Sequence, residues 1–539
     1  MAEPAMAMLK TTMFEEVKLE EALKILGSRR LGFSQVRLLP KGLSMRPITN
    51  LRRRTLLKGS KKLLGPSINT ILGPVGSMLK LEKTLNPERL GSAMFSVGDI
   101  YKRLKEFKTR LGAADRPFYF AKVDVQGAFD SIPQQAIVEL MSGIPSEAEY
   151  KLVKHVEVKP GEMGEMALTK VTRSKPLKKW QALARTASDS TTFRDLLESQ
   201  LAHSKRNTVF VESVACKSFQ TRALMAMMTS HIQDNLVKIG KKYYRQKSGI
   251  PQGSVLSSTL CSYFYADLEQ TQLSFLQAPD SLLLRLIDDF LLVTTDRTKA
   301  TRFVSTMHAG IPSYGVVVNP NKTLVNFDMS TGGKPLAKVE AGRPFPYCGT
   351  LINTTTLAMT KNRETSGAGT GGGAVVFDSL TVEYGRYPGR NFRRKVINAF
   401  KIQSHLMFFD TSHNSLPTVL SNVYSAFVET ANKTWAYARC LPRDKRPAAR
   451  LVVGAIRDLI DVAFLLLASE SRAKRYPGYR CEVKKQQVAW LAMVAFRTVL
   501  RRKQAAYREV IGWLEEETRV LSAERRVELG VLMEAARPR

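Results

Sequence analysis

Three aspartates carry the strongest chemical signal in the sequence. Asp124 ends a short apolar run, residues 118–125 (FYFAKVDV). Asp288 and Asp289 interrupt a second one, residues 282–294 (LLLRLIDDFLLVT), 164 residues further on. Carboxylates offer hard oxygen ligands suited to Mg²⁺. Two strands presenting them at a common edge would hold two ions about 3.5–4 Å apart, the arrangement that performs in-line phosphoryl displacement. The plain alternative is a solvent-exposed acidic β-turn, and an apolar-Asp-Asp-apolar segment alone does not choose between the two.

Such a site needs rigid elements beneath it. Residues 118–125 are β-rich and read as a strand, and Ser131, Pro133 and the apolar pattern after them open a helix. Two acids cannot sit buried in mid-strand without partners, so residues 282–294 read as a hairpin with a tight acidic turn. Residues 248–254 (SGIPQGS) form a Gly-rich loop leading into an apolar helix over 255–269. Upstream, Phe14, Val17, Ala22, Ile25 and Leu26 recur at helical spacing with Gly27 as a stop, which predicts an amphipathic helix over 14–27. Residues 36–39 look like a strand, Lys41-Gly42 a turn, and 45–51 a return strand. Residues 135–240 are mixed and polar, with no catalytic-looking signature. Residues 366–374 (SGAGTGGGA) read as a flexible linker, and helical patterning runs from there to the end. Strands that precede and interleave with helices give an α+β core with a separate helical domain.

Charge says what the site works on. The chain has 539 residues, 82 Lys plus Arg against 48 Asp plus Glu, and a net charge of +34. A basic excess of this size points to a polyanionic partner, most often nucleic acid. It is concentrated over residues 28–62, which hold eleven Lys or Arg and no acid; a phosphate-facing surface fits this better than a merely solvated face. Five cysteines without a CxxC pair argue against a disulfide framework or a zinc site. No signal-peptide pattern is present, and the longest pure apolar run near the C-terminus, 462–468, is far short of the ~20 residues a membrane span needs. The expectation is a soluble chain in a reducing compartment, with no membrane partner.

Four segments in order resemble the reverse transcriptase family: Asp124 with Phe129-Asp130, the PQG loop, the Asp-Asp hairpin, and residues 346–349 (PYCG) look like its motifs A, B, C and E. The likeness narrows further. AKVDVQGAFDSIPQ (121–134), SGIPQGSVLSSTLCSYFYADLE (248–269), LLRLIDDFLLVT (283–294), NPNKTLVNF (319–327), VRLLPKGLSMRPITN (36–50), GSAMFSVGDIYKRL (91–104) and GRNFRRK (389–395) are similar to the telomerase catalytic subunits. The first Asp of the pair follows Leu-Ile, as in that family, and 119 residues separate Asp130 from Gly249, where telomerase enzymes carry a long fingers insertion and retroviral ones do not. The likeness covers residues 14–440 well and the remainder by helical character only.

The resemblance implies an α+β right-hand polymerase of reverse transcriptase type with a helical C-terminal thumb extension. It implies fingers over 1–115, a palm over 116–350 interrupted by a fingers insertion at about 135–240, a Gly-rich linker region over 351–388, and a thumb over 389–539. Two Mg²⁺ ions would be held by Asp124, Asp288, the Val125 carbonyl and, in support, Asp289. Lys322 would donate a proton to departing pyrophosphate. Lys41 and Arg46 would grip the incoming triphosphate, Phe129 would exclude a ribose 2′-hydroxyl, and Gln252 and Gly253 would lie against the template base pair. Tyr347, Cys348 and Gly349 match a primer grip in which many relatives have Trp at the Tyr347 position, so stacking on an aromatic face is expected. Arg390, Asn391, Arg393, Arg394 and Lys395 would follow the RNA–DNA duplex.

The implied partners are a telomerase RNA template, a telomeric single-stranded DNA primer, deoxynucleoside triphosphates and accessory telomerase proteins, in the nucleus at chromosome ends. Telomerase subunits also carry an RNA-binding domain before the fingers. This sequence begins about 35 residues before its first fingers strand, so the expectation is a core without that region. Two other readings stand beside this one. A retroelement or intron reverse transcriptase lacks support from any RNase H or endonuclease signature. A non-catalytic RNA–DNA clamp would be marked by loss of the metal acids, and all three are present.

Overall fold

The computed structural model describes residues 13–41, 44–54, 64–112, 117–159, 176–202, 205, 207–362, 381–382, 387–523 and 529–537. The Gly-rich stretch 366–374 lies outside them. Phe14–Val17 is a strand, β1, and not the start of a helix. Helix α1 (Leu19–Ser28) begins after it and runs through Gly27, so the glycine stop does not operate. Pairing decided this: β1 lies antiparallel on residues 243–246, and two apolar residues three apart do not by themselves specify a helical period.

β2 (Ser34–Lys41) and β3 (Ser44–Thr49) form the expected basic hairpin. Helices α2 (Gly73–Leu85) and α3 (Gly98–Leu111) lead into β4 (Tyr119–Asp124) and then α4 (Gln134–Ser142). The polar region beyond holds three long strands, β5 (Glu149–Lys159), β6 (Leu177–Thr186) and β7 (Val209–Gln220), in the order β6-β5-β7. Helix α5 (Thr221–Gln233) brings the chain back, and β8 (Leu236–Ile239) and β9 (Lys242–Gln246) complete a five-stranded sheet in the order β1-β9-β8-β2-β3.

Helix α6 (Ser257–Gln272) follows the Gly-rich loop. Then come β10 (Ser281–Leu286), β11 (Asp289–Thr294), α7 (Arg297–Ala309), β12 (Leu324–Val325) and β13 (Ala337–Lys338). The second five-stranded sheet runs β10-β11-β4-β12-β13. Its side chains alternate between two cores. Phe120, Leu284, Leu291 and Val293 face α3 and the C-terminal helices, while Ala121, Val123, Phe290 and Leu292 face α6 and α7. All eight are fully buried. Each large side chain so placed contributes about 1.5–3 kcal/mol, which fixes the strands that end in aspartate.

A short antiparallel sheet, β14 (Phe345–Tyr347), β15 (Thr350–Ile352) and β16 (Met359–Lys361), joins this sheet to the helices. These are α8 (Pro388–Gln403), α9 (Leu416–Cys440), α10 (Ala449–Leu467), α11 (Lys485–Leu500), α12 (Gln504–Ala523) and α13 (Leu529–Ala535). One ion pair crosses the interior. Arg285 on β10, with no exposed surface, donates through Nε to Glu269 of α6 at 2.5 Å and through Nη2 to the Ser262 carbonyl at 3.0 Å. Glu269 also accepts the Ser92 N–H at 2.7 Å. Among the described residues no helix is long and apolar enough to cross a membrane.

Candidate active site

Asp124 is the last residue of β4 and Asp289 the first of β11, and the two stand directly opposite in the antiparallel register. The strand pairing thus places one carboxylate from each apolar run at a common sheet edge. Only one member of the Asp-Asp pair is in the turn. Leu286 pairs with Asp289 across the hairpin, which leaves Ile287 and Asp288 as the turn residues. Ile287 has a φ of +62°, a left-handed conformation in which a β-branched side chain is rarely found. It is held there by its surroundings, and the Asp288 carbonyl is pinned by the Val125 N–H at 3.2 Å.

The edge is electrostatically unbalanced. Burial pushes the Asp289 carboxyl up to about 6, and the neighbouring Asp124 and Asp288 push the same way, against the pull of Lys122. Lys122 reaches Asp289 at 3.9 Å, and Lys322 donates to Asp124 at 2.6 Å. Lysine ammoniums therefore face two of the carboxylates. Among the described residues no three His, Cys, Asp or Glu side chains are already gathered as a metal-holding group. The donor set still suits a hard divalent cation, since it offers oxygen only, and a cation would relieve the crowding that raises Asp289.

The Gly-rich loop is fastened from three sides. Gln252 donates through Nε2 to both carboxylate oxygens of Asp130, at 2.8 and 2.9 Å. Its carbonyl accepts the Thr49 N–H at 2.9 Å, which ties the loop to the basic hairpin. Asn69 spans the loop, donating to the Gly253 carbonyl at 3.0 Å and accepting from the Val255 N–H at 3.1 Å. Gly253 has a φ of +109°, and a Cβ there would lie 2.5 Å from the Thr49 carbonyl oxygen. Phe129 is half-buried against the core, and its carbonyl accepts the Ile250 N–H at 2.6 Å. Lys41 and Arg46 stand on β2 and β3, opposite Ser44 and Leu39; their side chains lie outside the described residues.

Cys348 and Gly349 form the turn between β14 and β15, with φ of +45° and +77°. Tyr347 departs from expectation. It is 1% exposed, so its ring is core and offers no face for stacking. Its hydroxyl instead donates to the Asp289 carbonyl at 2.9 Å. The Cys348 thiol is pushed up to about 12 by burial first and by Asp289 second, which makes it a poor nucleophile. Arg390, Asn391, Arg393, Arg394 and Lys395 occupy the first turns of α8, around the buried Phe392 and Val396. Arg393 pairs with Asp458 of α10.

Comparison with known proteins agrees with this geometry. A reverse transcriptase (RNA-dependent DNA polymerase) family model matches residues 205–350, and one for the telomerase reverse transcriptase C-terminal extension matches 390–515. The telomerase reverse transcriptase of Bos taurus is 32% identical over 502 residues, 89% of this chain, and that of Mus musculus 30% over 509 residues, 90% of this chain. The chain belongs to the telomerase reverse transcriptase family. It spans 42% and 43% of the length of those two relatives. The fold agrees: a structure of telomerase from Candida albicans in complex with a fragment of telomeric RNA superposes with a TM-score of 0.58 at 16% identity, over 95% of this chain and 70% of that one.

Family membership also extends the sequence reading. The C-terminal match continues to residue 515, well past 440, where the motif likeness gives way to helical character. Asp124 lies outside the 205–350 match and joins the site through strand pairing. Sequence reasoning missed Lys122, Asn69 and the Arg285–Glu269 pair, and assigned no role to Asp130. A signal existed for Lys122: a lone lysine in an apolar strand, two residues before Asp124, projects from the same face of the strand. None existed for Asn69, which meets the loop 184 residues away only through the fold.

Proposed function

We propose that the chain is the RNA-directed DNA polymerase of telomerase, extending a chromosome-end DNA 3′ terminus in the nucleus by copying an RNA template. The observation that carries this is the register that sets Asp124 against Asp289 with Asp288 at the adjoining turn. In this reading residues 1–115 act as fingers, 116–350 as palm with its insertion, and 389–539 as thumb, with 351–388 between them. Asp124, Asp288, Asp289 and the Val125 carbonyl would hold two Mg²⁺ ions. Those ions supply activation of the primer hydroxyl and neutralisation of the triphosphate charge.

The chain's own groups do the rest. Lys322, an ammonium beside Asp124, carries the proton that departing pyrophosphate needs. Lys41 and Arg46 bind the triphosphate, one as a point charge and one as a planar fork. Phe129 closes the space a 2′-hydroxyl would occupy. Gln252, oriented by Asp130, and Gly253 bring backbone close to the template base pair. Cys348 and Gly349 meet the primer end, and the basic residues of α8 meet duplex phosphates without reading sequence. The partners are telomerase RNA, telomeric single-stranded DNA, deoxynucleoside triphosphates and accessory telomerase proteins.

The test supplies template RNA, DNA primer, deoxynucleotides and Mg²⁺. The Asp288→Ala chain is expected to lose extension by on the order of a thousandfold or more, with binding of an RNA–DNA duplex retained. Extension at the wild-type rate would sink the assignment. In the same assay Phe129→Ala is expected to admit ribonucleotides, and an unchanged preference for deoxynucleotides would leave Phe129 a core residue only.

A further inference from the structure

The turn of the catalytic hairpin is closed by the pair Leu286 and Asp289. Tyr347 reaches Asp289 from a different sheet. Its hydroxyl donates to the Asp289 carbonyl at 2.9 Å. The ring is buried in the core that joins the palm sheet to the C-terminal helices.

Behind this contact the 347–350 turn is stiff. Both of its central residues are left-handed, the geometry of a tight type I′ hairpin. The Thr350 hydroxyl donates to the Tyr347 carbonyl at 2.7 Å, and the Asn362 N–H donates to the Gly349 carbonyl at 2.9 Å. A rigid turn joined to Asp289 by a buried bond moves with it.

We propose that Tyr347 is a positioning residue for nucleotidyl transfer: its hydroxyl locks the 347–350 turn to the backbone of the aspartate hairpin, so that the surface meeting the DNA 3′ end and the edge carrying the carboxylates hold one fixed spacing. This rests on the polymerase reading above. It differs from a primer-stacking role, because the ring touches no substrate and acts through Asp289. A hydroxyl that donates to the Asp289 carbonyl cannot be supplied by phenylalanine, although phenylalanine keeps the ring and its packing.

The experiment compares wild type, Tyr347→Phe and Tyr347→Trp as full chains in primer extension, with amide hydrogen exchange on the same samples. Tyr347→Phe is expected to lower kcat about tenfold, the effect of losing one buried hydrogen bond at the transition state, with KM for primer and deoxynucleotide within about twofold. Tyr347→Trp, which restores a ring N–H donor, is expected to recover part of the loss. Exchange is expected to quicken in residues 281–294 and to stay unchanged in α6 and α7. An unchanged kcat in Tyr347→Phe would overturn the inference while leaving the polymerase reading in place. So would a fall in kcat with exchange quickened across the whole palm, which is simple destabilisation. Failure of the wild-type chain to extend any primer would overturn the polymerase reading, and this inference with it.

Discussion

Asp289 is an acid that the metal-free fold holds at a disadvantage. Its carboxyl sits at about 6 instead of 3.8, so folding favours the protonated form. The sign follows: this contribution to stability is fully present below pH 3.8 and is lost as the pH rises through 6. Asp289→Asn keeps the shape and removes the charge. It is expected to stabilise the metal-free chain by about 1–2 kcal/mol at pH 7.5, with the gain shrinking at pH 5, read from denaturant melts at both values. Added Mg²⁺ is expected to raise the stability of wild type more than that of the variant; equal shifts would count against Asp289 as a ligand. The three aspartates were legible in the sequence because an acid closing an apolar run has few structural reasons to be there. Tyr347 was not, because an aromatic in a three-residue strand has no period from which to read its burial.

At the level of elements, the Gly-rich loop depends on a close approach that only glycine permits. Gly253→Ala would force a Cβ against the Thr49 carbonyl at a φ no L-residue favours. It is expected to separate the loop from β3 and cut extension by on the order of a hundredfold, while far-UV circular dichroism stays unchanged. The buried pair between β10 and α6 gives a stability counterpart. Arg285→Leu leaves Glu269 buried without its partner and is expected to cost about 3–5 kcal/mol by denaturant titration. The two hairpins around 36–51 and 282–294 could be read ahead of the structure, since alternation and turn residues are local. The β6-β5-β7 sheet was missed although β5 alternates, with Tyr150, Leu152, Val156 and Val158 on one face; β6 has no such alternation and stays largely exposed. β1 could not be read ahead, since its partner is far away in the chain.

Across the whole molecule, the +34 charge would set how the proposed polymerase meets nucleic acid. Duplex affinity is expected to fall at least about a hundredfold between 50 and 200 mM salt, measured by fluorescence anisotropy, because released counterions supply much of the binding. Acid acts through another group. His231 and His413 are buried and depressed to about 3 and about 4, chiefly by burial. Each lies below its unfolded value of 6.5, so stability is lost as the pH falls from 6.5, by about 2 kcal/mol per histidine at pH 5. His231→Gln and His413→Gln are each expected to flatten that slope in denaturant melts, and an unaltered slope in both would exclude these groups. The topology also sets a timetable. Phe14 pairs with Gln246, and Asp124 meets Asp289 only after the intervening insertion has been made. At about 5–20 residues per second, β1 waits roughly 10–50 s on the ribosome for its partner. The nascent chain must therefore shelter the unpaired edge of β1 until residue 246 is made and that of β4 until residue 294 is made, and chaperones during translation are expected to serve the same long-range pairing that brings Asp124 to Asp289.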